Sequence, residues 1–265
     1  MGNPRFSKWR VFRTLLIVYG IVLLLAYFFA DRLIFLPHTS SYRDDPGRII
    51  KLTTGDGVKI SAASFPVATA RYTVLFSHGN GEDIGNDTPF FQDYNAHGFS
   101  VFAYDYHGYG TSGGHPSEQK AYADVNAAYD YLTRVLKIPA SRIIAHGRSL
   151  GGGVAVDLAS RRPVAGLIME STFTTTFRVR THFAIVPFDE FRSIDKIAKV
   201  HCPVMVIHGT ADGMIGIWHA KALYERANQP KSFLWVEGAG HGECADVGGE
   251  DYWRNVETFA RSLGP

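Results

Sequence analysis

The sequence is poor in cysteine, with only two in 265 residues, Cys202 and Cys244. Two cysteines cannot form a disulfide framework. We also predict that they do not pair with each other, because Cys202 opens a strand-like run and Cys244 follows a loop at the opposite end of the predicted sheet. That separation is about 20 Å, far beyond the reach of a disulfide. The cysteines therefore say little about the redox compartment.

A surplus of charge of either sign is also lacking. The 27 lysines and arginines are nearly balanced by 25 aspartates and glutamates, which leaves a net charge of +2. A nucleic-acid-binding protein usually carries a broad basic excess, so we expect no nucleic-acid partner. The sequence has no internal repeat, and its 46% hydrophobic and 20% charged residues suit a packed core rather than extended disorder.

A long uncharged run lies near the N-terminus. Residues 14–30 read TLLIVYGIVLLLAYFFA and follow a basic stretch. This length is near the lower limit for a membrane span, so we predict a basic tail and membrane signal anchor over residues 1–36. Positive charge in front of the run places the N-terminus in the cytoplasm and the rest on the opposite side, the periplasm in a bacterium. The alternative is a cleaved signal peptide, but a cut after Ala30 would put Phe28 where a small residue is needed.

Beyond Pro37, short apolar runs alternate with segments of helical spacing. This alternation predicts an α/β fold over residues 37–265, with a mainly parallel, eight-stranded sheet covered by helices on both faces. The predicted strands are residues 48–53, 58–65, 72–77, 99–104, 142–145, 165–169, 204–208 and 233–236. The clearest predicted helices are residues 118–136, 150–158, 217–227 and 252–263.

One short motif carries a clear chemical prediction. Residues 147–151, between a predicted strand and a predicted helix, follow the pattern G-x-S-x-G. A side chain at so sharp a turn takes a strained backbone and needs neighbours without bulk, which Gly147 and Gly151 provide. The pattern predicts that Ser149 is a nucleophile at the carboxyl end of a strand, and an ordinary glycine-serine turn is the alternative.

A serine hydroxyl needs a base, and the base needs an acid that orients it. His241 is the candidate base because it lies in a glycine-rich loop after the last predicted strand. We favour Asp212 as the acid because it follows the strand before that one, and Glu170, one strand earlier still, is the alternative. His208 ends a strand itself and is expected to hold the following turn. The candidates share the carboxyl edge of the predicted sheet, where such sheets place their chemistry.

Two backbone N–H donors are needed to stabilise the oxygen of an attacked carbonyl. We expect them from Leu150, directly after the serine, and from Asn80, in the loop after the strand 72–77. Residues 108–113 match G-x-G-x-x-G, but His115-Pro116 follows instead of a helix, so we predict a supporting loop rather than a dinucleotide site. Histidine and cysteine show no zinc-like spacing, and we expect no metal and no cofactor.

Together these motifs resemble the α/β-hydrolase superfamily, and within it the membrane-anchored serine hydrolases that include protein depalmitoylases of the abhydrolase-domain type and their bacterial relatives. The matching segments are DRLIFLPH at Asp31, HGNGED at His78, DYHGYGTSGG at Asp105, GRSLGG at Gly147, ESTFT at Glu170, HGTAD at His208 and EGAGH at Glu237. The resemblance implies an α/β-hydrolase fold and a triad of Ser149, Asp212 and His241. The sequence departs from it at His107, where relatives often have arginine, and at Gly213-Met214.

The segment 171–199 is too long for a simple turn, so we predict a short cap with an apolar acyl pocket, with an ordinary connecting helix as the alternative. Its apolar side chains are Phe173, Phe177, Phe183, Ile185, Val186 and Phe188.

The predicted function is hydrolysis of a carboxylic ester or thioester. A membrane anchor beside an apolar pocket suits a lipid, another small acyl ester or an acylated protein as the substrate. A peptidase or amidase with the same triad and a non-catalytic scaffold are the alternatives. The sequence leaves the acyl length, the physiological substrate and the oligomeric state open.

Overall fold

The computed structural model describes residues 8–181 and 186–264, in which a long helix, α1 (Lys8–Ile34), precedes a domain built on one sheet. The first half of the domain contains β1 (Ile50–Thr53), β2 (Lys59–Phe65), β3 (Thr73–Ser77), α2 (Ile84–Ala96), β4 (Ser100–Tyr104) and α3 (Glu118–Asp130). The second half contains β5 (Ile143–Arg148), α4 (Leu150–Arg161), β6 (Gly166–Glu170), α5 (Ser193–Lys196), β7 (Val204–Gly209), α6 (Trp218–Arg226), β8 (Lys231–Val236) and α7 (Cys244–Ser262), which is interrupted at Gly249.

The sheet has eight strands in the order β1-β2-β4-β3-β5-β6-β7-β8. The β1–β2 and β2–β4 pairs are antiparallel, and the pairs from β4 across to β8 are parallel. The predicted fold class is therefore confirmed, and each predicted strand is present. Because β3 to β8 run in the same direction, the loops that follow them meet at one edge of the sheet.

Side chains on the central strands alternate between two cores. On β3, Leu75 packs into the core beneath α3, α4 and α6, whereas Val74 and Phe76 pack into the core beneath α2 and α7. A strand that is buried on both faces has no polar face, which is why these strands read as short continuous apolar runs.

Helix α2 is an element that the sequence pattern did not specify. It contains Pro89, and its buried side chains include Asp87 beside Phe91 and Tyr94, which breaks the apolar periodicity. A capping box fixes its start, because the Asp83 side chain accepts from the Asn86 N–H at 3.1 Å and the Asn86 side chain accepts from the Asp83 N–H at 3.2 Å. The cap lies between β3 and β4, and it indicates a helix that the hydrophobic spacing does not predict.

Helix α1 has 27 residues, more than the apolar run alone predicts, and it is long and apolar enough to cross a membrane. Most of its side chains are exposed. Ala30 and Ile34 near its end, and Phe35 just beyond it, are buried in the same core as α3 and α4. The residues just before the predicted boundary between residues 36 and 37 therefore pack with the hydrolase domain.

The segment after β6 has little regular structure where it is described. It contains a single 3-10 turn at Phe177–Val179 before α5. Phe183 and Ile185, two side chains of the predicted acyl pocket, lie outside the described residues. The prediction that Cys202 and Cys244 do not pair is confirmed, because both are free thiols.

Candidate active site

Ser149 occupies the tight turn between β5 and α4. Its backbone has φ +54° and ψ −117°, a conformation that side chains with a Cβ rarely adopt. The turn is fixed from both sides, because Ser149 N–H donates to the Glu170 carbonyl at 2.9 Å and the Thr172 hydroxyl donates to the Ser149 carbonyl at 2.7 Å. These hydrogen bonds to the end of β6 hold the strained turn in place, and the serine side chain is directed to the rim of the sheet.

The glycines on either side of the serine are needed for close backbone approach. A Cβ on Gly147 would lie 2.0 Å from the Gly151 carbonyl oxygen, and a Cβ on Gly151 would lie 1.9 Å from the Ser77 carbonyl oxygen. Helix α4 thus begins in contact with the end of β3 and with its own preceding strand. The motif predicts residues without bulk at these two positions, and the fold leaves no space for a side chain at either of them.

The three predicted side chains of the triad lie in one hydrogen-bonded row. The Ser149 Oγ is 3.1 Å from His241 Nε2, and His241 Nδ1 is 2.9 Å from Asp212 Oδ2. With the proton on Nδ1, the imidazole donates to the carboxylate and presents a lone pair to the serine hydroxyl. This tautomer is the one in which a histidine can take the serine proton.

The carboxylate of Asp212 is buried and well supported. Its Oδ1 accepts from the backbone N–H of Met214 at 2.9 Å and of Ile215 at 2.8 Å. Burial acts to raise the pKa of this carboxyl, but the hydrogen bonds from His241 and Ile215 outweigh that effect and hold the pKa below its ordinary value. Asp212 therefore stays ionised and can stabilise a positive charge on the imidazole.

The structure separates Asp212 from the alternative acid, Glu170. The Glu170 carboxylate is fully buried, accepts from the Tyr252 hydroxyl at 2.6 Å and lies 3.3 Å from His146 Nε2. It is thus engaged with residues beneath the sheet edge, whereas Asp212 is the carboxylate bonded to His241. His208 holds the turn after β7 as predicted, because its Nε2–H donates to the Ile215 carbonyl at 2.7 Å.

The loops that carry the acid and the base are tied to each other. Ala211 N–H donates to the Ala239 carbonyl at 3.0 Å, and Gly238 N–H donates to the Thr210 hydroxyl at 2.9 Å. Gly209 makes this approach possible, because a Cβ there would lie 2.2 Å from the Ala239 carbonyl oxygen. These contacts set the distance between Asp212 and His241, although each loop belongs to a different strand.

Both predicted oxyanion donors, Asn80 and Leu150, line the same cavity as Ser149 and His241. Leu150 is the first residue of α4, so its N–H has no carbonyl four residues back within the helix. The side chain of Asn80 is occupied elsewhere, because Oδ1 accepts from Tyr109 at 2.6 Å. This contact fixes the loop in front of the serine, and Tyr109 belongs to the G-x-G-x-x-G run that was expected to support the site.

Sequence reasoning missed a buried charge network behind this loop. Arg148, directly before the serine, contacts Asp87 and lies 3.0 Å from Glu82 Oε2. The same Glu82 oxygen accepts from the Gly79 N–H at 2.7 Å. Arg148 thereby links the end of β5 to the loop of the candidate oxyanion donors. Arg148 lies inside the G-R-S-L-G motif, and this position was the sequence feature that could have indicated its role.

The candidate triad opens into a cavity of about 670 Å³. Its walls are mainly apolar and come from α1, from residues 173–181 and from the loops after β3, β7 and β8. Within the described residues, no cluster of histidine, cysteine, aspartate or glutamate has the arrangement of a metal site. A mainly parallel sheet with a serine on the sharp turn after β5 defines the class of hydrolase-fold proteins with a nucleophile elbow.

Comparison with known proteins agrees with this class. A family model described as serine aminopeptidase, S33, matches residues 68–188. The chain is 41% identical over 181 residues to the alpha/beta hydrolase domain-containing protein aho-3 of Caenorhabditis elegans, an alignment that covers 67% of this chain and 54% of that protein. It is 42% identical over 198 residues to the alpha/beta hydrolase domain-containing protein 17B of Xenopus laevis, which covers 72% of this chain and 67% of that protein. The chain thus spans between about half and two thirds of the length of these relatives.

A solved structure of an esterase from Pyrococcus furiosus has the same fold. It superposes with a TM-score of 0.73 at 21% identity, over 87% of this chain and 97% of that one. The chain therefore belongs to the α/β-hydrolase superfamily, as its motifs predicted.

Proposed function

We propose that this protein is a serine hydrolase that cleaves carboxylic esters or thioesters of acyl substrates through an acyl-enzyme. The observation that carries the proposal is the row of contacts from Ser149 to His241 at 3.1 Å and from His241 to Asp212 at 2.9 Å, at the mouth of an apolar cavity. Such a row supplies the nucleophile, the base and the group that orients the base.

Each step then uses groups that are already in place. His241 takes the hydroxyl proton as the Ser149 Oγ attacks the carbonyl carbon, and the carbonyl oxygen becomes an oxyanion that faces the amides of Asn80 and Leu150. The imidazolium returns the proton to the leaving alcohol or thiol as the carbon–leaving-group bond breaks. Water, deprotonated by His241, attacks the acyl-enzyme, and the serine regains its proton as the carboxylic acid leaves.

The membrane role of α1 is part of the proposal. We place the N-terminus on the cytoplasmic side and the hydrolase domain on the opposite side, because Lys8, Arg10 and Arg13 precede the apolar run. Ala30, where a signal peptide would be cut, is only 4% exposed and packs in the core, which supports a retained helix. Protease protection in sealed vesicles tests this orientation. External protease should digest the domain only in vesicles whose outer face is the side of the membrane opposite the cytoplasm.

A peptidase or amidase is the second candidate, favoured by the description of the family model that matches residues 68–188. The test compares nitrophenyl esters and acyl thioesters with peptide nitroanilides as substrates of the full-length chain and of Ser149→Ala. We expect turnover of esters and thioesters, slower turnover of anilides, and loss of both in the variant. Equal or faster turnover of anilides would favour the peptidase, and a folded wild-type chain with no turnover would favour a scaffold.

A further inference from the structure

The end of α1 forms part of the wall of the candidate active site. Ala26, Leu33 and Ile34 of the helix, and Leu36 just beyond it, line the same cavity as Ser149 and His241. A membrane anchor that served only as a tether would have no reason to contact the pocket. Here the helix supplies apolar surface to the space where a substrate bound to Ser149 would lie.

One face of α1 contacts the domain over the last turns of the helix. The half-buried or buried residues of the helix are spaced three or four apart, whereas the intervening ones are exposed. They are Gly20, Leu23, Ala26, Ala30 and Ile34. Within this stripe, Ala26 lines the cavity and Ala30 and Ile34 pack in the core, so the last turns of the helix face the domain in one defined rotation.

The end of α1 is fixed to the site by hydrogen bonds. Leu36 N–H donates to Asn80 Oδ1 at 2.9 Å, and Asn80 Nδ2 donates to the Ile34 carbonyl at 2.5 Å. The ring of Phe35 packs against Tyr109 and Phe191, with centroids 6.4 and 5.8 Å away. The backbone N–H of Asn80 is a candidate oxyanion donor, and the side chain of the same residue holds the end of the helix.

The opposite wall is mixed, because it carries Thr176, Arg178 and Arg180 beside its apolar side chains. Phe177 and Val179 line the cavity, and Phe188 bridges the two walls by contacting Phe177 at 6.2 Å and Tyr27 of α1 at 5.8 Å between ring centroids. Ala26 lies eight positions before Ile34, which is about 12 Å along a helix. The apolar space beside α1 thus extends well away from Asn80, a length that suits the chain of an acyl group rather than a short acid.

We propose that α1 is the chain-length wall of the acyl pocket, with Ala26 as the residue that limits how long a chain can extend along it. The proposal rests on the acyl hydrolase function proposed above. At the mouth, Leu33 is 70% exposed and Leu36 is 59% exposed, so apolar side chains continue from the pocket to the surface of the helix. An acyl chain that enters beside the end of α1 therefore meets the apolar side chains of Leu33 and Leu36 on its way into the pocket.

The test places a tryptophan in the pocket wall and, as a matched control, on the far side of the same helix. Ala26→Trp fills the lining, whereas Leu24→Trp adds the same side chain at a position that is 58% exposed and outside the lining. The full-length chain in lipid nanodiscs is assayed with nitrophenyl butanoate, octanoate, dodecanoate and hexadecanoate. We expect the hexadecanoate to butanoate ratio of kcat/KM to fall about tenfold in Ala26→Trp and to stay unchanged in Leu24→Trp. Ala26→Leu, which adds less volume, should give an intermediate ratio.

A second measurement needs no turnover. Hexadecanoate with a diazirine at its terminal carbon is photolysed with each variant, and the adducts are located by mass spectrometry. We expect adducts on Phe177 or Val179 in the wild type and in Leu24→Trp, competed by plain hexadecanoate, and their loss in Ala26→Trp. Adducts and chain-length ratios that do not respond to Ala26→Trp overturn the assignment. If no ester is hydrolysed, the proposed function fails, and the adducts alone decide whether α1 bounds an acyl pocket.

Discussion

The cavity has two walls that are built in different ways. The candidate catalytic rim, which carries Ser149, Asp212 and His241, is held by directional hydrogen bonds between 2.8 and 3.1 Å. The apolar wall, made by α1 and residues 173–181, is anchored by hydrogen bonds, such as that from Phe177 N–H to Asp189 Oδ1 at 2.8 Å, but it meets the cavity mainly through apolar side chains and ring contacts. Because directional bonds tolerate little displacement and apolar contacts tolerate changes that conserve volume, we expect the rim to determine the reaction and the wall to select the substrate.

The strongest test of this contrast changes one atom of the rim. In Asp212→Asn the amide oxygen can still accept from Met214 and Ile215, but the amide nitrogen faces His241 Nδ1. The imidazole must then accept there and carry its proton on Nε2, toward the serine. We expect kcat to fall about 10⁴-fold with little loss of stability, measured with nitrophenyl butanoate and by thermal unfolding.

Glu170→Gln is the matched control, because it makes the same change in a carboxylate at the same sheet edge. Its side chain is bonded to Tyr252 rather than to His241. We expect this variant to retain most of the activity. Near-normal turnover in Asp212→Asn together with a large loss in Glu170→Gln would exchange the two roles.

The next effect is on stability, through the close backbone approach behind the serine. Gly151→Ala places a Cβ 1.9 Å from the Ser77 carbonyl oxygen, so the backbone of β3 or α4 must move. We expect a loss of at least about 3 kcal/mol in the free energy of unfolding, or a drop of roughly 6–12 °C in Tm. Gly213→Ala, with no atom within 4 Å of the added Cβ, should change the stability by less than about 0.5 kcal/mol. Equal Tm values for the two variants would contradict the packing account.

The smallest expected effect concerns a carboxylate of the segment opposite α1. Burial raises the pKa of Glu190 to about 7, and the nearby carboxylates of Asp31, Glu118 and Asp189 add to the rise. Because the folded state binds this proton more tightly than the unfolded state, the contribution to stability falls as the pH rises from the ordinary value of 4.5 through about 7.

Glu190→Gln removes this titration. We expect the variant and the wild type to unfold at the same temperature near pH 4, and the variant to be more stable near pH 8 by less than about 1 kcal/mol after solvent screening. The measurement is Tm as a function of pH. A difference that grows toward acid pH would show that the carboxylate stabilises the fold instead.

The arrangement of the candidate catalytic rim was predictable because its residues lie in short, recognisable segments. Ser149 lies between two glycines, and a Cβ on either one would lie only 1.9 or 2.0 Å from a backbone oxygen. The glycines of the motif are therefore the residues that the geometry of the turn requires. Parallel strands then bring His241 and Asp212 to the same edge, whatever their separation in the chain. Both Asp212 and Glu170 follow strands at that edge, and the sequence favoured Asp212 only from its place in the chain, whereas the coordinates show that Asp212 is the carboxylate bonded to His241.

The sequence predicts Phe173 and Phe177 as part of the pocket, but it does not predict that α1 contributes to the wall, for a physical reason. Residues 14–30 are apolar on every side of the helix, so hydropathy does not mark the residues from Ala26 to Ile34 that face the domain. That stripe depends on which side chains of a distant segment, such as Phe188, meet the helix. Helix α2 was hidden for a related reason, because Pro89 and the buried Asp87 interrupt its pattern.

The proposed reaction depends on Ser149 acting as a nucleophile that is activated by His241. Its most direct test is treatment of the full-length chain with a fluorophosphonate, followed by intact-mass measurement and peptide mapping. We expect one adduct, on the peptide that contains Ser149, which is absent from Ser149→Ala and forms much more slowly in Asp212→Asn. A folded wild-type chain that takes up no probe, or an adduct on another residue that persists in Ser149→Ala, would contradict it.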